Sequence, residues 1–302
     1  MTPHPGSPAD RLHAAAAATR VAAAFSDAWN APPPDPATGQ LWRARWGRQH
    51  QLVVLLSVAG NMAAAAPVCF ERNYADDTTE LLSAQDTTLN VPLAVWTSLT
   101  RIVPMRVLDR MGGDVTTTGI AALDPASDPK TRHRGEPIVT PVDTRAEYRA
   151  VLEDTMTEFA AATWTPRGEG TLPAVLRKAG IGPADIANTL QLPPQQALQL
   201  LRGSLPLKEQ QAELLTAQIG LSVEELLDAN PALPDELIAR LDRPACRARV
   251  TQLARRRKLS EPLAWQTAAY DVFALAARQT GPEQSIAWDE RIDRYFTVVL
   301  DD

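Results

Sequence analysis

The hydrophobic pattern changes period once along the chain. Between residues 40 and 110 it is short and strand-like. LWRARW (41–46) sets Trp42, Ala44 and Trp46 on one face against Arg43 and Arg45 on the other, the two-residue period of a half-buried strand. LVVLLSV (52–58) is apolar throughout, as in a strand covered on both faces. APVCFE (66–71), TTELLS (78–83), VPLAVW (91–96) and IVPMRVL (102–108) follow at short spacing. Strands this short and this close together predict a small barrel or a strongly bent sheet. Residues 112–143, rich in Gly, Asp, Thr and Pro, read as a linker or long loop.

From Thr144 to the end the period is helical. RAEYRAVLEDTMTEFAAATW (145–164) carries an apolar stripe and stops at Thr165-Pro166. Short helices are then predicted over 172–179, 183–190, 194–201, 208–219 and 223–229. Gly180, Gly203 and Gly220 stand where helices end, and Pro183 and Pro194 stand in first turns, where a missing N–H costs nothing. Ser222 and Glu225 form a capping box. A basic helix and a further long helix fill 235–279. In the latter, Trp265, Ala268 or Ala269, Val272, Leu275 and Ala276 form one stripe, suited to a core or to a dimer surface. WDERIDRYFTVVL, near the end, mixes helical and strand signals and is compatible with either. At the other end, 11–29 reads as a helix closed by Asn30 and the breaker APPPDPATG.

The fold class is therefore α+β, a β-rich barrel-like domain followed by an all-α half with five short helices. The expected divisions are 1–39 (helix and linker), 40–143 (barrel), 144–165 (connecting helix), 166–230 (five helices) and 231–302 (further helices).

Composition narrows the chemistry. The 302 residues carry a net charge of −6, so any nucleic-acid affinity must come from a local patch. Only four of the 30 basic residues are lysines, the residue usage of a bacterial genome rich in G and C. Cys69 and Cys246 are the only cysteines and the four histidines are scattered, so neither disulfide nor metal site nor cofactor is expected, and the chain reads as cytoplasmic. DRLHAAAAATRVAAAFSDAW lacks the basic start of a signal peptide, and Arg20 and Asp27 interrupt it; no apolar run is long enough to cross a membrane.

One stretch carries most of the functional signal. Ile186 and Ala187 lie on the second short helix, Gln191-Leu192-Pro193 forms a turn, and Ala197 and Leu200 are buried positions of the third. Arg202-Gly203 ends that helix, Pro206 opens the next connection, and QIGLSVEELL (218–227) closes the unit. This arrangement resembles the helix-turn-helix domain of the Cro/C1 repressor class, the XRE family, over about a fifth of the chain. The resemblance implies that Pro194 to Arg202 is a recognition helix. Gln195, Gln196 and Gln199 would then meet base edges, since a glutamine amide can donate to and accept from adenine together. Arg202, Lys208 and the cations of 243–258 would neutralise phosphates: Arg243, Arg247, Arg249, Arg255, Arg256, Arg257 and Lys258, a run without an acid. The N-terminus of the second helix would face a phosphate. Two features pull the other way. Residues 166–229 hold five basic and seven acidic side chains, a local net of −2. Leu198 and Leu201 stand where polar residues are common in the family, which points to a helix partly covered by protein.

Upstream, GQLWRARW, LVVLLSV, APVCFE and LNVPLAVW…LTRIVPMRVLD are similar to the small barrel of the MazF/PemK toxins, a family that cleaves RNA. Its Arg-Pro before the second strand is here Gln51-Leu52, and its Thr after the third strand is here Glu71-Arg72. Arg48, His50, Glu71 and Arg72 are the nearest set that could supply an acid, a base and a cation to a scissile phosphate.

The resulting expectation is a bacterial DNA-binding regulator whose dimer occludes a promoter, with an N-terminal domain that takes a protein or small-molecule effector. The alternatives are a toxin-like ribonuclease fused to its own regulatory module, and an interaction protein whose helix-turn-helix has turned to protein binding.

Overall fold

In the N-terminal half, β1 (Gln40–Trp46), β2 (Gln49–Ala59) and β3 (Met62–Cys69) follow one another as an antiparallel meander. The computed structural model describes residues 29, 31–123, 140–162, 168–279 and 287–301; the helix expected over 11–29 lies outside these apart from Trp29. The turns are two residues long, Gly47-Arg48 and Gly60-Asn61, and each opens on a glycine with φ of 55° or 59°, a conformation that side chains disfavour. Adding β4 (Glu80–Leu82), β5 (Leu93–Val95), β6 (Arg101–Pro104) and β7 (Leu108–Asp114) gives a seven-stranded sheet of order β4-β5-β3-β2-β1-β7. β6 pairs with the first half of β3 and β5 with its end, so one edge of β3 is shared by two strands.

The sheet is open, and the expected barrel is not closed by a strand ladder. β4 and β5 are three residues each, too short to carry a ladder round to β7. A single bridge, Thr87 to Val115, joins the segments beyond β4 and β7, with Thr88 N–H donating to Asp114 at 2.8 Å and Thr116 N–H to Asp86 at 2.7 Å. Register shifts in β1–β7 and β2–β3 bend the strands, as bulges do.

Alternation divides the apolar side chains of the sheet among three cores, the smallest of them formed by Cys69, Leu81, Ala94, Trp96 and Leu152 with their neighbours. Trp42, Ala44, Val53, Leu55, Ala63 and Ala65 fill one, together with Met156, Phe159 and Ala162. Leu41, Val54, Ala66 and Val68 fill another, with Leu93 and Val95 of β5 and Leu123. Leu123 ends α1 (Thr117–Leu123), which lies inside the stretch expected to be a linker; β7 likewise runs into that stretch as far as Asp114. The helix expected to connect the halves, α2 (Val142–Ala160), packs on the sheet instead, burying Leu152, Thr155, Met156 and Phe159 at helical spacing.

α2 is also fastened by charge. Arg149 donates to Asp76 at 2.9 Å, to Thr78 Oγ1 at 2.7 Å and to Ser98 Oγ at 3.1 Å. Burial, the largest single influence on Asp76, pushes its carboxyl up; hydrogen bonds from Thr78, Arg149 and Thr79 outweigh it and leave the group below its ordinary value. A carboxyl depressed on folding stabilises above its unfolded value and loses that contribution as pH falls through the folded one. Acid titration should therefore weaken the wild type progressively from about pH 4 downward, whereas Asp76→Asn should lack this component. Parallel acid-unfolding curves for the two proteins would disprove it.

The chain divides into two compact units, Met1–Ala162 with Asp242–Ala248, and Thr163–Leu241 with Arg249–Asp302. In the second, α3 (Leu172–Lys178), α4 (Pro183–Leu190), α5 (Pro194–Leu201), α6 (Glu209–Ile219) and α7 (Val223–Asp228) lie within about a residue of the predicted spans and share one core, built on Leu172, Leu176, Ile186, Ala197, Leu200 and Leu226. The region 235–279 holds three helices rather than two: α8 (Asp235–Leu241), α9 (Pro244–Arg257) and α10 (Glu261–Gln279). The ambiguous terminal segment is helical, α11 (Trp288–Asp301), because Trp288, Ile292, Tyr295 and Phe296 all fall on one buried stripe. The described residues thus hold an N-terminal antiparallel sheet followed by a helical half, eleven helices in all, an α+β chain. Among them no helix is long and apolar enough to cross a membrane, and no group of three His, Cys, Asp or Glu is placed to hold a metal ion.

Asn230 ties the five-helix core together. Buried at 1% exposure, it accepts from Leu207 N–H at 2.6 Å and donates to the Leu207 carbonyl at 2.9 Å. Asn230→Ala leaves two buried backbone groups without partners and should cost about 2–3 kcal/mol. A urea midpoint unchanged from wild type would show that water replaces the amide.

Candidate nucleic-acid interface

The site expected from sequence centres on α5, and its geometry begins in the turn before it. α4 ends on Gln191 in the left-handed conformation (φ 51°, ψ 43°), with the Gln191 side chain donating to the Asn188 carbonyl at 2.8 Å. Leu192 N–H closes the turn on the Ala187 carbonyl at 3.0 Å. Pro193 then caps α5 with a fixed φ and Pro194 takes its first position, so the helix starts abruptly after three turn residues.

α5 is strongly two-faced. Ala197 and Leu200 are buried in the shared core, and Leu201 is half-buried against it. Gln195, Leu198 and Arg202 are exposed and Gln199 is partly so, at spacings of three, four and seven along one stripe; Gln196 lies partly buried beside it. The helix stops where Gly203 (φ 67°) lets Ser204 N–H return to the Gln199 carbonyl at 2.9 Å. Arg202 therefore ends the stripe at the rim. Lys208, just before α6, is exposed, and its backbone N–H is capped by Gln211 at 2.9 Å.

Three expectations change on this geometry. First, the start of α4 is already met by an anion: Asp185 accepts from Gly182 N–H at 2.8 Å, and this carboxylate stands where a phosphate was expected. Secondly, Leu201 packs half-buried against the core of its own unit, which leaves Leu198 as the one exposed leucine of the helix. Thirdly, the cations of 243–258 do not form one surface.

Arg247 is the clearest exception. It is 1% exposed, lies in the first unit, donates to the Arg106 carbonyl and sits 5.9 Å over the Trp46 ring. A phosphate cannot reach it. Arg249 is paired with Asp293 at 2.6 Å, and Arg257 with Asp271 at 3.4 Å. Arg256 donates to the Val299 carbonyl at 3.0 Å. Arg255, Arg256, Arg257 and Lys258 are exposed at the end of α9, while Arg243, ahead of its start, is half-buried.

The first-unit candidates converge on one end of the sheet. Arg48 lies in the β1–β2 turn and His50 near the start of β2; Leu52 stands opposite Val68, so Glu71 and Arg72, just beyond β3, flank the same end. Arg48, His50 and Glu71 are exposed and Arg72 is half-buried. The set shows no ion pair among its members. Gln51 points its amide at the Val68 carbonyl (2.7 Å) and Cys69 Sγ (3.6 Å). Tyr148 Oη donates to the same sulfur at 2.8 Å. Burial pushes the Cys69 thiol up, and Cys246 is buried as well. Such thiols are poor nucleophiles.

Sequence reasoning missed one buried polar cluster entirely. Arg106 grips Asp242 in a two-pronged pair, Nε to Oδ1 at 2.8 Å and a terminal nitrogen to Oδ2 at 2.6 Å. Asn61 adds a hydrogen bond to Asp242 at 3.1 Å, and Arg106 also donates to the Ala162 carbonyl at 3.0 Å. No local pattern signals this, because the partners stand 136 residues apart.

A scan against protein-family models finds no match for the chain, and a search of curated proteins finds no relative.

Proposed function

We propose that this protein is a DNA-binding regulator of the Cro/C1 helix-turn-helix kind, with α4 and α5 as the two helices of the motif. One observation carries the reading: α5 buries Ala197 and Leu200 and turns Gln195, Leu198, Gln199 and Arg202 outward in a single stripe. A helix of eight residues held by its neighbours and lined with amides has the shape and donor–acceptor pattern that a major groove accepts. Arg202, at the rim, and Lys208, beyond it, take phosphates. The exposed cations at the end of α9 add backbone affinity; Arg247 does not. A dimer matching two half-sites blocks a promoter, and the N-terminal sheet receives an effector or partner.

The test is fluorescence anisotropy with duplex DNA from upstream of the gene, titrated at two salt concentrations. Affinity should fall as salt rises, and Arg202→Ala should reduce the log–log salt slope by about 0.9, the share of one phosphate. Absence of binding at low salt, even to long duplexes, would exclude the reading.

A ribonuclease remains the second reading, on the observation that Arg48, His50, Glu71 and Arg72 share one end of the sheet. It requires RNA cleavage that disappears on changing Arg48, His50 or Glu71.

A further inference from the structure

We infer that Leu198 reads the C5-methyl group of a thymine, so that the target half-site places a thymine within the block of adenines met by Gln195 and Gln199. The inference rests on the reading of α5 as a recognition helix and adds a specificity-determining contact to it.

Leu198 is 39% exposed on a stripe whose other members are amides and a guanidinium. It follows Gln195 by three residues and precedes Arg202 by four, so it projects from the middle of the face rather than from its rim. A protein partner would call for a contiguous apolar patch; on α5 Leu200 is turned into the core and Leu201 is half-buried against it, which leaves Leu198 the one exposed leucine of the helix. A single apolar side chain between hydrogen-bonding neighbours instead matches a surface that is polar apart from isolated methyl groups. The major-groove edge of A·T pairs is such a surface. Adenine offers N7 and N6 to a glutamine amide, and the thymine methyl is the one apolar group exposed in that groove.

The experiment removes only the methyl. The tightest duplex recovered from a random pool is resynthesised with each thymine replaced in turn by deoxyuridine, which keeps base pairing intact. At one position per half-site, wild-type binding should weaken about 4-fold, the worth of one buried methyl. Leu198→Ala should bind the parent duplex more weakly and be indifferent to deoxyuridine at that position. Being exposed, the substitution leaves the core alone, and an unchanged melting curve checks this. Wild-type indifference to every deoxyuridine would overturn the methyl contact while leaving α5 as a reading helix. Equal losses for wild type and Leu198→Ala would overturn it also, by placing the methyl against another residue. Failure to recover any duplex would remove the DNA reading itself, and the contact with it.

Discussion

Asp242→Ala should destabilise the first unit by about 3–5 kcal/mol, the cost of leaving one member of a buried ion pair alone. Asp242 has no exposed side-chain surface and Arg106 keeps 12% of its own, so water cannot solvate the guanidinium once the carboxylate is gone. The pair is bidentate, and a third hydrogen bond comes from Asn61. Folding thus meets the desolvation cost of both charges with directed bonds, and deleting either one leaves that cost uncompensated. Arg106→Ala should be comparably harmful. The double variant should lose less than the sum of the two single losses, because it removes both charges at once. Urea unfolding measures all three. A loss below about 1 kcal/mol for Asp242→Ala, the value of a surface pair, would mean that water reaches the cluster.

Gln195→Ala/Gln199→Ala should remove about 2–6 kcal/mol of discrimination between the preferred duplex and an unrelated one, counting roughly 1–3 kcal/mol for each bidentate amide–adenine contact. Non-specific affinity should survive, because Arg202, Lys208 and the end of α9 are untouched. The two classes of contact are therefore separable in one titration: the double variant flattens the difference between sequences, whereas Arg202→Ala weakens all sequences together. Both glutamines point away from the core, so the melting temperature should hold. Retained discrimination in a folded double variant would assign base reading to some other surface.

The helices of the second unit were legible because each boundary has a local cause. Pro183 and Pro194 open helices, Gly203 and Gly220 close them with positive φ, and Ser222 caps α7 by accepting from Glu225 N–H at 3.2 Å. The strands were legible for the same kind of reason, since Trp42 and Ala44 alternate with Leu41 and Arg43 across one strand. What escaped depends on distant residues. IVPMRVL reads as one strand but divides at Met105 into β6 and β7, because β6 pairs with β3 and β7 with β1. Glycines in MGGD mask the continuation of β7, and α1 shows too few apolar residues to stand out from a loop. Arg247 illustrates the limit of reading charge alone: inside a run of arginines it looks solvated, and only the fold discloses that it is buried beside Arg106 and Trp46. For the candidate site the outward positions of α5 could be read from helical period, while the separate fates of Leu198 and Leu201 required the packed core.

Whether α5 reads DNA is decided by selecting duplexes from a random DNA pool with the wild-type protein. Convergence on a short motif of adenines with a thymine among them is expected, repeated with two-fold symmetry if the dimer binds, and no such motif for Gln195→Ala/Gln199→Ala. A pool that stays random for the wild type, or the same motif recovered by both proteins, would contradict the reading of α5 as a recognition helix.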